Sequence, residues 1–138
     1  MTPAFADTAY FVALHNRRDA LHTLAVECGQ LADAIVTTEF ILVEVATFFL
    51  RPADRVTFAK LDAALRANPN VTVLPSSADL YARGLELFAA RPDKEWSLTD
   101  CISFEVMAEL ELTDAVTADQ HFEQAGLRVL LKPEDATS

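Results

Sequence analysis

The chain has 138 residues, 51% of them hydrophobic, a formal net charge of −10 and only three glycines. This composition suits one packed domain, expected over residues 1–138, and argues against disorder. No uninterrupted apolar run approaches the roughly 20 residues of a membrane helix, and the N-terminus has no basic region ahead of Asp7, so a cytoplasmic protein is expected.

Elements follow from apolar periodicity and from turn and cap residues. Ala4–Ala6 reads as the end of a first strand, followed by Asp7. Thr8–His15 has helical spacing, with Ala9, Val12 and Ala13 near one face. Asn16–Arg18 is a turn, and Asp19 is an apt N-cap for a second helix to about Leu31. Ala34–Thr37 is a strand candidate, and Thr38 caps a third helix, Glu39–Leu50, that stops before Pro52. A fourth helix covers Ala53–Ala67, and Val71–Leu74 is a β-branched strand. Ser77 caps a fifth helix to Ala90, and Ser97 opens a sixth to Leu110. Ala115–Thr117 is a strand, Asp119–Ala125 a helical turn or two, Gly126 a helix-ending residue, and Leu127–Leu131 the last strand. Short apolar strands alternating with helices predict an α/β fold with a parallel central sheet covered on both faces. Ligands bind such sheets beyond the carboxyl ends of their strands.

Four acids stand in places that ask for an explanation. Asp7 follows the first strand, as a helix cap or as a ligand. Glu44 lies in FILVEVATFFL with Phe40, Ile41 and Phe48 as its helical neighbours. A carboxylate there is partly desolvated and needs a salt-bridge partner, a donor cluster, a cation or a route out to solvent. Asp100 stands where a capping box would place Glu or Gln, and Asp is short for that reach. Asp119, chosen over Asp114, lies at the carboxyl end of its strand like Asp7, with Thr117 placed to orient its carboxylate. Glu39 suits the start of its helix, and Glu105, Glu109 and Glu111 read as a solvated face. His121 reads as a surface or supporting residue, and His15 and His22 lack partners at metal-ligand spacing. Cys28 and Cys101 are too isolated for a disulfide framework or a zinc site and read as reduced core thiols.

Converging carboxylates repel one another unless a cation joins them. Oxygen donors select Mg²⁺, or Mn²⁺, over zinc. Such ions orient a phosphodiester and activate water, which suits a chain with no G-x-S-x-G, P-loop or G-x-G-x-x-G motif. The acidic balance works against polyanion binding. A nucleic-acid substrate therefore needs the cation together with local bases such as Arg17, Arg18, Arg51, Arg55 and Lys94. A basic partner protein also suits so acidic a surface.

FADTAYFVALHNRRDALH with Asp7, VTTEFILVEVATFF with Glu44, SLTDCISFEVM with Asp100 and AVTADQHFEQAGLRVL with Asp119 span nearly the whole chain. In that order they resemble a PIN-domain ribonuclease of the VapC type, the toxin half of bacterial toxin–antitoxin pairs. The last two pieces, with their S-x-T-D start and T-x-D-x-H-F ending, are the most specific. The resemblance implies a PIN-like three-layer fold, endonucleolytic RNA cleavage, and Mg²⁺ held by Asp7, Glu44, Asp100 and Asp119. It also implies a homodimer and a cognate antitoxin that inserts a segment near the site. The alternative is a non-catalytic PIN-like module that binds metal or a partner. A phosphoacceptor signalling domain is disfavoured, because Val71–Leu74 runs into Pro75-Ser76 with no aspartate.

Overall fold

The structure, a computed structural model, describes residues 3–132. The outer ends of the expected 1–138 domain lie outside them. Five strands form one parallel sheet: β1 (Ala4–Ala6), β2 (Ile35–Thr38), β3 (Val71–Leu74), β4 (Asp114–Val116) and β5 (Arg128–Val129), in the order β3-β2-β1-β4-β5. The register pairs Phe5 with Val36 on one side and with Ala115 on the other. The three inner strands are wholly buried, which is why none of them alternates apolar with solvent-facing polar residues.

Helices α1 (Thr8–His15), α2 (His22–Leu31), α3 (Glu39–Ala46) and α4 (Pro52–Ala67) connect β1, β2 and β3. Helices α5 (Ala78–Ala90), α6 (Leu98–Glu109) and α7 (Gln120–Gln124) connect β3, β4 and β5. The strand order steps outward from β1 to β3, then returns past β1 to β4. Right-handed crossovers therefore put α1–α4 on one face and α5–α7 on the other. The contacts agree: α1 packs on α2 and α3, and α6 on α5 and α7. The chain reverses direction between β1 and β4, so the carboxyl ends of those two strands border the crevice of the sheet. No helix among the described residues is long and apolar enough to cross a membrane.

Three boundaries differ from the sequence reading by more than one residue. Helix α2 starts at His22 rather than beside Asp19, because Asp19 closes a separate turn. Its Oδ1 accepts from Leu21 N at 2.8 Å and its carbonyl from His22 N at 3.0 Å. Helix α3 ends at Ala46 rather than Leu50. The Thr47 hydroxyl donates to the Glu44 carbonyl at 2.6 Å, an alternative to continued helix. The last strand is only Arg128–Val129, although Leu130 N and Leu131 N still bond Ala115 O and Thr117 O at 3.0 Å. Glu39 works away from the crevice, joining Arg66 of α4 at 2.8 Å and Ser76 N at 2.7 Å.

The face of the sheet under α5–α7 depends on one close approach. A Cβ at Gly84 would sit 2.3 Å from Ile102 Cγ1 and 3.1 Å from Ile102 N. Gly84→Ala is therefore expected to lose about 1–3 kcal/mol through overpacking, more than the ~1 kcal/mol that alanine offers a helix. Urea unfolding of the two proteins checks this, and a variant as stable as the parent would contradict it.

Candidate metal centre

Strand β1 delivers Asp7 to the crevice. Asp7 takes the N-cap position of α1, but its side chain makes no capping hydrogen bond. The carboxylate is 6% exposed, and its Oδ2 accepts the Thr117 hydroxyl at 2.8 Å. Burial pushes its pKa from 3.8 up to about 6. Hydrogen bonds from Thr117 and the Thr8 N–H oppose that rise, while the negative charges of Asp100 and Glu44 add to it. The capping explanation of Asp7 therefore fails at the side chain. An acid held so far from water, beside two others, is a group that a cation would relieve.

Glu44 comes from the face of α3 that meets α1. It is half-buried, and its Oε1 accepts the Thr8 hydroxyl. The Thr38 hydroxyl caps α3 by accepting from Ile41 N at 3.2 Å, which fixes where that helix begins and so where Glu44 falls.

Asp100 is one residue with two duties. The Ser97 hydroxyl accepts from Asp100 N at 3.0 Å, and Asp100 Oδ2 accepts from Ser97 N at 3.1 Å. The capping box thus closes with an aspartate, so the side chain is long enough for the return bond. The same Oδ2 also meets Nδ1 of His121 at 3.0 Å.

Asp119 caps α7 by accepting from His121 N at 2.9 Å. Thr117 does not orient the Asp119 carboxylate, as the sequence suggested. Its hydroxyl donates to Asp7 and accepts from Asp119 N at 3.1 Å, so one threonine ties the ends of β1 and β4 together. The rejected candidate, Asp114, begins β4 and faces Arg128 at 3.5 Å.

Asp7, Glu44 and Asp119 line one cavity of about 350 Å³, with Thr8, Asp19 and Phe48. Asp100 does not line it, but its charge acts on Asp7 and its carboxylate reaches Asp119 through His121. One atom each from Asp100, Asp119 and His121 lie within 4.8 Å of one another. The donors are dominated by carboxylate oxygens, the set expected for a hard divalent cation, so these residues fit one. Two neighbours of the acids were only partly legible in the sequence. Asp19 reads there only as a helix cap. His121, read from the sequence as a surface or supporting residue and as the histidine of the T-x-D-x-H-F ending, is two residues past a capping acid, an offset that turns its ring back toward Asp100 in the first turn of α6.

The cationic candidates distribute unevenly. Arg17 and Arg18 are exposed in the turn that leads to Asp19. Lys94 lies 6.0 Å from the Trp96 ring, just before the Ser97 cap. Arg55 instead donates to Leu50 O at 2.7 Å. A second cavity, about 460 Å³, lies between α3 and α4 and is lined by Phe40, Leu42, Val43, Ala46 and Phe58 among others.

The PIN domain family matches residues 4–127. The 23S rRNA-specific endonuclease VapC20 of Mycobacterium tuberculosis is 30% identical over 131 residues, covering 94% of this chain and 98% of that protein. The crystal structure of the same toxin, described as cleaving the sarcin–ricin loop, superposes with a TM-score of 0.78 at 29% identity, over 90% of this chain and 95% of that one. The VapBC2 structure from Rickettsia felis, bound to a DNA fragment from its promoter, superposes with a TM-score of 0.63 at 16% identity, over 94% and 97%, and shares the fold.

Proposed function

Because the chain belongs to the PIN domain family, a family of metal-dependent nucleases, we propose that it is a Mg²⁺-dependent endoribonuclease, the toxin of a type II toxin–antitoxin pair acting in the cytoplasm. The observation that carries this reading is the convergence of Asp7, Glu44 and Asp119 on one cavity at the reversal point of the sheet, with Asp100 close enough to shift the proton affinity of Asp7.

Asp7, Glu44, Asp100 and Asp119 would hold the cation, with Mn²⁺ as an acceptable substitute. When bound, the cation would orient the phosphodiester, activate water and stabilise the leaving oxygen. The chain's own contribution is to keep its acids aimed. The Thr117 hydroxyl fixes one oxygen of Asp7, and the Thr8 hydroxyl fixes one oxygen of Glu44. The Ser97 N–H fixes one oxygen of Asp100. No side-chain nucleophile is needed, which accords with a site built of acids and hydroxyl donors. Arg17 and Arg18 immediately precede Asp19, which lines the cavity, and Lys94 precedes the Asp100 helix. These three would meet the phosphates of a strand entering the crevice.

The partners are an RNA, a cognate antitoxin and a second copy of this chain. Val43, Phe48, Leu50 and Val56 are all exposed, on α3, α4 and the turn between them. So many apolar side chains on neighbouring elements suit a surface covered by another chain. Phe48 also lines the acidic cavity, so a chain covering this strip would reach the edge of the site.

The test is cleavage of ribosomal RNA, and of a sarcin–ricin loop oligonucleotide first, by the purified protein. Mg²⁺ is expected to support cutting, EDTA to abolish it, and Asp100→Asn to slow it by about 10²–10³-fold. Cutting that survives both EDTA and Asp100→Asn would remove the proposed site. Failure to cut any RNA with Mg²⁺ present would favour the non-catalytic module.

A further inference from the structure

We propose that His121 is a positioning residue that ties Asp100 to Asp119, its ring Nδ1–H bonding Asp100 and its backbone N–H bonding Asp119, and thereby sets the affinity of the centre for its cation. The inference rests on the metal-site reading above and deepens it.

The two acids come from different elements. Asp100 is in the first turn of α6, and Asp119 caps α7, which has only five residues. So short a helix has little stability of its own. Its position relative to α6 must come from the side chains that join them. His121 Nδ1 lies 3.0 Å from Asp100 Oδ2 and 3.4 Å from Asp119 Oδ1. Ionised carboxylates only accept hydrogen bonds, so Nδ1 must carry the proton in this arrangement. The ring is then a fork between two carboxylates that would otherwise repel each other.

The detail that matters is which oxygen is used. Ser97 N and His121 Nδ1 both converge on Oδ2 of Asp100. Two donors on one oxygen fix the plane of the carboxylate and leave Oδ1 for a cation. Asp119 is held by the same residue, its Oδ1 accepting from the His121 backbone N–H at 2.9 Å with the ring Nδ1 standing 3.4 Å away as an electrostatic neighbour. One residue thus orients two ligands by three contacts. Partners of this kind change metal affinity by about 10–100-fold when removed. His121 is only 24% exposed at its side chain, so the fork is largely shielded from competing water.

Two amides separate this role from a contact made by the other ring nitrogen. Asparagine places its Nδ2 at the same distance from the backbone as Nδ1, and glutamine places its Nε2 further out, near the position of the imidazole Nε2. Mn²⁺ binding by calorimetry, on purified protein with no RNA, is the readout. His121→Ala is expected to weaken Mn²⁺ binding by about tenfold, and to raise by a similar factor the Mg²⁺ concentration that half-saturates cleavage. His121→Asn is expected to restore Mn²⁺ affinity to within about threefold, and His121→Gln to leave it weak. Unchanged Mn²⁺ affinity in His121→Ala would overturn the proposal, as would rescue by Gln without rescue by Asn. A parent protein that binds no Mn²⁺ would instead remove the metal-site reading itself. Melting of each variant in EDTA establishes that it is folded before it is titrated.

Discussion

In EDTA at pH 8, Asp7→Asn is expected to be more stable than the parent by about 1–3 kcal/mol, although with Mg²⁺ supplied its RNA cleavage should fall by about 10²-fold or more. The two effects have opposite signs because one buried carboxylate causes both. Burial raises the Asp7 pKa from 3.8 to about 6, and the charges of Asp100 and Glu44 reinforce the rise. The folded protein therefore binds this proton more tightly than the unfolded chain. The stability that Asp7 contributes by being protonated is fully present below pH 3.8 and is lost as pH rises through about 6. Asparagine removes that loss and can still accept the Thr117 hydroxyl that now bonds Oδ2. The advantage of the variant should accordingly vanish near pH 4 and be complete above pH 7. Added Mg²⁺ should reverse the order, since it stabilises only a protein that binds it. Urea titrations at pH 4 and pH 8, each with and without Mg²⁺, read all four cases. A variant no more stable than the parent at pH 8 in EDTA would mean that Asp7 is not strained by its surroundings.

Phe122→Ala is expected to cost about 3–5 kcal/mol, a large share of the stability of a domain this size. Phe122 is fully buried, with its ring 4.9 Å from Phe104 at 81° and 6.5 Å from Phe5. It therefore links α7 to α6 and to β1, the elements that carry Asp119, Asp100 and Asp7. Its carbonyl also accepts from Leu127 N at 3.0 Å, closing the turn into β5. Without the ring, α7 keeps the Asp119 cap but loses its anchor, so the folded fraction should also bind Mn²⁺ more weakly. Phe122→Leu, which keeps most of the apolar volume, should lose less than half as much. Thermal and urea unfolding of the pair measure the difference. A cost below about 1 kcal/mol for alanine would show that α7 is held by something other than this aromatic contact.

The strands were readable because parallel strands buried on both faces leave short runs such as AFA and AVT between capping residues. The caps themselves were readable where the side chain has one obvious backbone partner, as at Thr38, Ser77 and Ser97. The errors came where a polar side chain had two options. Thr47 ends α3 early through the Glu44 carbonyl, and Asp19 makes its own turn instead of capping α2. Thr117 is the same kind of case within the site. Sequence spacing pairs it with Asp119, whereas its hydroxyl crosses the sheet to Asp7, 110 positions away in the chain. Glu44 was suspect because of its apolar helical neighbours, yet its partner Thr8 sits on another helix and left no mark in the local pattern. His121 reads as a surface or supporting residue from the sequence, but its two carboxylate contacts do not, because they depend on the packing of α7 against α6. Element ends and unlikely acids are local properties; the hydrogen bonds that aim those acids are not.

Asp7, Glu44, Asp100 and Asp119 are expected to hold one divalent-metal centre. Anomalous diffraction at the manganese edge, from crystals grown with Mn²⁺, tests it most directly. Manganese is expected in the crevice between β1 and β4, at about 2.1 Å from carboxylate oxygens of these acids, with one or two ions sharing the four residues. Manganese bound elsewhere, or a crevice free of it at saturating Mn²⁺ with all four side chains ordered, would contradict the account.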